Sequence, residues 1–174
     1  MTHTFTDALD FVLQQEGSFV NDPHDPGGMT NLGVTARVWQ QWTQRPATEQ
    51  VMRALRQVDV QPLYKADYWG KIAGDKLPIA LALCVFDFAV NAGPSRAVKT
   101  LQGICGATKD GVPGDGTMRA VQAYITGIGL AKLIERFCDA RRDYYRELDG
   151  FLRFGKGWLA RVDRVEKEAL GWIG

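Results

Sequence analysis

Apolar positions recur along most of the chain at the spacing of a helix face. Phe5, Ala8, Leu9, Val12 and Leu13 form the first such stripe. Glu16 stands three residues past Leu13 and four past Val12, so it continues the apolar face, and Gly17 follows as a C-cap. A loop dense in Asp, Asn, Pro and Gly then runs from Ser18 to about Val34. Thr35 is predicted to cap a short helix carrying Val38, Trp39 and Trp42, and Thr48 to open another through Val51, Met52 and Leu55. Pro62 precedes a predicted helix through Leu63, Tyr64, Tyr68 and Trp69. Ile79 to Asn91 reads as a largely buried helix stopped by Gly93-Pro94. Ser95 is expected to cap the next one, with Ala97, Val98, Leu101 and Ile104 facing inward. A polar loop from Gly106 to Gly116 leads to a helix from Thr117, a long helix from about Leu130 to Leu148, and a last one from about Gly157 to Leu170. Only Phe19-Val20 and Leu32-Gly-Val34 carry strand signals, as a small hairpin around the loop. The predicted fold class is mainly α, with a small β-hairpin after the first helix.

Composition narrows the classes. With 174 residues, 45% hydrophobic and 24% charged, the chain can bury one good core or two small ones. Residues 1–90 carry 7 Lys+Arg against 10 Asp+Glu, and residues 91–174 carry 14 against 10. That asymmetry is too mild to argue for nucleic acid, and a solvated helix surface accounts for it as well as an anionic polymer does. Cys84, Cys105 and Cys138 have neither metal-ligand nor redox spacing, and Cys84 and Cys138 read as small core residues. No basic-then-apolar leader is visible at the N-terminus, and the most apolar stretch, Ile79 to Ala92, is interrupted by Asp87 and Asn91 and is too short to span a bilayer. The expectation is a protein made in the cytoplasm, without stable membrane insertion, and delivered by other means if its substrate lies outside.

Glu16 is the first chemical candidate. A carboxyl on the core side of a helix end is poorly solvated, which favours its neutral form and suits a general acid. The alternative is a helix-terminal Glu that swings out to water. In the loop, Asp22 and Asp25 each precede a proline, and Gly27-Gly28 permits a reversal that brings a carboxylate back past the helix end. A glycosidase needs this pairing of a protonated acid with an ionised partner. Asp25 is the first choice of partner and Asp22 the second, against the common alternative that both make Asx turns. Asp22, His24 and Asp25 lack a nearby fourth ligand, so no metal site is assigned.

The run from Glu16 to Thr35, Glu-Gly-Ser-Phe-Val-Asn-Asp-Pro-His-Asp-Pro-Gly-Gly-Met-Thr-Asn-Leu-Gly-Val-Thr, resembles the signature of glycoside hydrolase family 108. These are phage- and bacteria-derived N-acetylmuramidases with a lysozyme-like fold. Their Glu-Gly-Gly-Tyr motif maps its catalytic Glu onto Glu16, with Ser18 and Phe19 replacing the second Gly and the Tyr. The Glu–Asp–Thr order of phage-type lysozymes is similar to Glu16, Asp25 and Thr30, the last falling one residue short. Val85-Phe-Asp-Phe-Ala-Val-Asn91-Ala-Gly-Pro, Ala97-Val-Lys-Thr-Leu-Gln, Asp110-Gly-Val-Pro-Gly-Asp-Gly-Thr117 and Gly157-Trp-Leu-Ala-Arg-Val162 resemble the peptidoglycan-binding region that accompanies the family.

The resemblance implies a lysozyme-like catalytic region over residues 1–90 and a helical peptidoglycan-binding-like region over 91–174, packed as one body. It implies hydrolysis of the β-1,4 bond between N-acetylmuramic acid and N-acetylglucosamine. Glu16 would be the acid, and Asp25, or a water held by Asp25 and Thr30, would meet the sugar cation. Asp22, Asn31, Tyr68 and Asn91 are the candidate substrate-binding residues. Against the last two stand plain alternatives: aromatics at helical spacing are usually core, and Asp87 and Asn91 on a buried helix need hydrogen-bond partners of their own. No cofactor is expected. The expected partner is the peptidoglycan glycan strand, met by a monomer that a holin or a secretion machine delivers to the wall. The rival classes are a non-catalytic wall-binding or secretion-accessory protein and a lytic transglycosylase.

Overall fold

The structure, a computed structural model, describes residues 2–21 and 28–173. It is mainly α with one small antiparallel sheet, and it divides into two compact units, Thr6–Ala66 and Met1–Phe5 with Asp67–Gly174. The division lies at residue 66, whereas the expected boundary at residue 90 falls inside a helix, Ile79–Ala92, whose residues 80–89 are all buried.

In the first unit, α1 (Phe5–Glu16) buries Ala8, Leu9, Val12 and Leu13, the stripe that its spacing predicts. Gly17 follows with φ of +80°, the left-handed conformation that ends many helices. The sheet has three strands, β1 (Val20–Asn21), β2 (Met29–Asn31) and β3 (Val34–Thr35), in the order β1-β2-β3. Thr30 on the central strand faces Val20 on one side and Thr35 on the other. Leu32 and Gly33, expected in a strand, instead form the two-residue turn between β2 and β3, with φ of +50° and +72°. Such a tight hairpin requires left-handed φ at both central residues.

Thr35 caps α2 (Ala36–Thr43), its Oγ1 accepting from the Val38 N–H at 3.2 Å, and Thr48 caps α3 (Glu49–Arg53) by accepting from Val51 at 3.3 Å. The next helix, α4 (Gln57–Tyr64), contains Pro62 and does not begin after it. The start signal is Asp59, whose carboxylate accepts from the Arg56 backbone N–H at 2.9 Å.

The second unit opens with a π-helical turn, Lys65–Trp69, that begins in the first, and two 3₁₀ turns, Gly70–Ile72 and Gly74–Lys76. Trp69 is buried against Phe5 and Phe86, with ring centroids 5.0 and 5.4 Å away, and its Nε1–H donates to Asp75 at 2.7 Å. Five helices follow: α5 (Ile79–Ala92), α6 (Pro94–Cys105), α7 (Asp115–Ile128), α8 (Leu130–Arg146) and α9 (Phe151–Gly171). Apart from Asp87 and the exposed Asn91, α5 is apolar on all sides, and it packs against α6, α8 and α9, so it forms the axis of this unit. Gly93, not Ser95, stands at the cap of α6, because Pro94 already has the φ of a first helical residue. α9 starts six residues before Gly157: Gly155 lets the Phe151 ring lie across the backbone, where a Cβ would come within 2.5 Å. Cys84 and Cys138 are both free and buried, as their apolar neighbourhoods predict.

One buried charge cluster ties the helices. Asp87 on α5 has no solvent exposure and meets Arg141 of α8 at 2.5 Å and Arg161 of α9 at 2.8 Å. Burial opposes its charge, yet the two guanidiniums hold its carboxyl below the ordinary range. Arg141 Nε donates to the Tyr145 hydroxyl at 3.1 Å, and that hydroxyl donates to Asn91 Oδ1 at 2.5 Å. No helix among the described residues is long and apolar enough to cross a membrane.

Candidate active site

Glu16 is the last residue of α1 and is half-buried. Its stem lies against the β2–β3 turn: a Cβ placed on Gly33 would meet Cγ of Glu16 at 3.0 Å and its Cβ at 3.2 Å. The same point lies 2.5 Å from the Tyr64 hydroxyl, which donates to the Leu32 carbonyl at 2.9 Å. Tyr64 is buried at the end of α4. Its hydroxyl thus fixes a strained turn from beneath, and the turn fixes one side of the Glu16 stem. A leucine with φ of +50° costs on the order of 1–2 kcal/mol, and such strain persists only where the surroundings over-determine it.

Around this point the remaining candidates divide. Thr30 is half-buried on the central strand, two residues before the turn. Asn31 is buried and its Nδ2 donates to the Met52 carbonyl at 2.8 Å, so it ties β2 to α3. Phe19, which stands where the family motif has Tyr, carries the Arg53 guanidinium 4.0 Å above its ring. Asp22, His24 and Asp25 lie outside the described residues.

Tyr68 and Asn91 belong to the other unit: Tyr68 is half-buried in the π-helical turn, and Asn91 is exposed near the end of α5, its amide oxygen accepting from Tyr145. Among the described residues no group of three or more His, Cys, Asp or Glu side chains could hold a metal ion.

Two features escape the sequence pattern. Tyr64 sits at helical spacing beside Leu63 and reads as core or as a sugar platform, whereas it holds the turn beside Glu16. Its only sequence signal is Gly33 at the second position of a two-residue connection. Arg141 and Arg161 are the other omission, signalled by an ionisable Asp87 on an otherwise apolar helix, which demands cations.

A family model described as Glycosyl hydrolase 108 matches residues 9–93, from α1 to the end of α5. Among solved structures, that of Brucella abortus SagA is 39% identical and superposes with a TM-score of 0.82, covering 97% of this chain and 94% of that one. No curated protein matches the chain. The chain belongs to the Glycosyl hydrolase 108 family.

It is therefore a glycoside hydrolase with a mainly α, lysozyme-like fold. In this glycosyl hydrolase the matched segment contains Glu16, the strained turn and Tyr64, and it continues past the division between the two units. Helices α6 to α9 lie beyond the family match, yet the likeness to the SagA structure extends over nearly the whole chain.

Proposed function

We propose that the chain is a peptidoglycan hydrolase of the N-acetylmuramidase type, with Glu16 as the general acid. The observation that carries this reading is the arrangement at the end of α1. There the half-buried Glu16 side chain is held against an exposed glycine turn, within the segment that matches a glycosyl hydrolase family. Gly33 presents no side chain, so the turn can pack directly on the Glu16 stem and the Tyr64 hydroxyl and hold the carboxyl in place.

In the proposed reaction Glu16 gives its proton to the glycosidic oxygen as the bond to the muramic acid C1 breaks. Asp25, or a water oriented by Asp25 and Thr30, meets the positive charge that develops on the sugar. Addition of water at C1 leaves a reducing N-acetylmuramic acid. The helices beyond residue 91 would hold the wall polymer. The protein would act as a monomer on the wall after synthesis in the cytoplasm and delivery by a holin or a secretion machine.

Glu16→Gln keeps the shape of the side chain and removes the proton. It should lower the rate at which purified sacculi lose turbidity by on the order of 10²–10⁴-fold. Clearing at the unsubstituted rate would remove Glu16 from the role. Asp25→Asn is the companion test, in which near-normal clearing would assign the partner role to Asp22 or to water alone.

A further inference from the structure

At the start of α6 an open groove of about 770 Å³ is lined by three cations, Arg96, Lys99 and Lys109, and by no carboxylate among the described residues. Some cations of the same unit, Lys132, Arg141, Arg142, Arg146 and Arg161 among them, meet carboxylates within ion-pair distance, and others do not among the described residues. Arg96, Lys99 and Lys109 form no such pair among the described residues. Asp110, which is not part of the groove lining, interacts electrostatically with Lys99. The Asp110 carboxylate is already engaged, accepting from the Val112 N–H at 2.9 Å and from Gln102 at 2.7 Å, and these bonds hold it below the ordinary carboxylate range.

Fixed features of the fold shape the groove and support its cations. Arg96 lies over the Tyr144 ring, 4.4 Å from its centroid. Lys109 crosses Gly103, where a Cβ would come within 2.4 Å of its Cε. The loop that carries Lys109 is tied to α6 by the buried Gln102, whose amide nitrogen donates to Val112 O and Thr117 Oγ1, both at 3.0 Å, and whose oxygen accepts from the Gly111 N–H at 2.9 Å. Gly111 in turn approaches α6 so closely that a Cβ would meet the Lys99 Cε at 3.1 Å. Like charges gathered in one concavity repel one another, so the arrangement is stabilised by an anion that fills it.

We propose that this groove binds the carboxylates of the peptide branches that the glycan carries, an inference that rests on the chain acting on peptidoglycan. A peptide branch is a linear acid with several carboxylates along its length, and three cations lining one open groove can meet more than one of them.

The test is adsorption to purified sacculi, read at low temperature with Glu16→Gln protein so that binding is separated from turnover. Replacing Arg96, Lys99 and Lys109 together by Gln should weaken adsorption about tenfold, as expected for three exposed charges of a few tenths of a kcal/mol each. Lys99→Arg with Lys109→Arg should adsorb like the unsubstituted groove, and the singly exchanged Lys99→Gln and Lys109→Gln proteins serve if the triple variant melts early. Amidating the sacculus carboxyls should abolish the difference between the groove variants. Stripping phosphodiester polymers with hydrofluoric acid should leave it intact, and its loss on stripping would assign the groove to phosphate and overturn the proposal. Equal adsorption by the triple variant would overturn it alone. Failure of the unsubstituted groove to adsorb at all would overturn it together with the peptidoglycan reading.

Discussion

A side chain at position 33 would collide with two groups at once, the Tyr64 hydroxyl at 2.5 Å and the Glu16 stem at 3.0 Å. Tyr64, the Leu32–Gly33 turn and Glu16 therefore form one mechanical unit, and each can be tested alone. Tyr64→Phe keeps the ring and removes the donor to Leu32 O, so it should cost about 1 kcal/mol of stability in a denaturant titration. If the turn orients the acid, kcat should fall more than that loss explains, with KM little changed. A variant of normal kcat would confine Tyr64 to a packing role. Gly33→Ala forces a Cβ into this space at a left-handed φ, and it should cost about 1–2 kcal/mol from the backbone alone. Melting curves check the stability, and turnover should be lost beyond what unfolding explains. At this scale the sequence was partly legible. The side of α1 that Glu16 occupies follows from Val12 and Leu13, and Gly33 is a natural turn residue. Leu32 was not legible, because leucine disfavours φ above zero and the hairpin pairing and the Tyr64 hydrogen bond that hold it there are tertiary.

Among the elements, α5 shows how a buried charge organises helices distant in sequence. Asp87 is surrounded by apolar neighbours on its own helix and meets Arg141 and Arg161 from α8 and α9. Removing one member of a buried ion cluster leaves the others uncompensated, so Asp87→Asn should destabilise the protein by about 3–5 kcal/mol, read as a lowered denaturant midpoint. The pH dependence has a definite sign. The folded pKa of Asp87 is depressed, so its stabilising contribution is complete above the ordinary carboxylate range and is lost as pH falls through the lower, folded value. Melting temperature should therefore drop on acidification below about pH 4, and this drop should be shallower in Asp87→Asn. The need for partners at Asp87 could be read from an acid inside an apolar run. Their identity could not, because pairing across separate helices leaves no local spacing signal. The same reason explains the early start of α9: Gly155 and Gly157 look like breakers until the Phe151 ring is seen to use the space over Gly155.

For the whole molecule, helical periodicity was enough to give a mainly α chain with a small sheet after the first helix. The division between units at residue 66 was not legible, since it falls within the helical spacing of Leu63, Tyr64, Tyr68 and Trp69 and no linker composition marks it. Family membership makes the chain a glycoside hydrolase, and the proposal names its bond and its acid. The products of digestion test that proposal most directly. Purified sacculi should be digested to completion with the unsubstituted protein, and the released fragments examined by mass spectrometry before and after borohydride reduction. The account predicts fragments ending in a hydrated, reducible N-acetylmuramic acid, and none above background with Glu16→Gln. Fragments ending in a reducing N-acetylglucosamine or in an anhydro-muramic acid would contradict it.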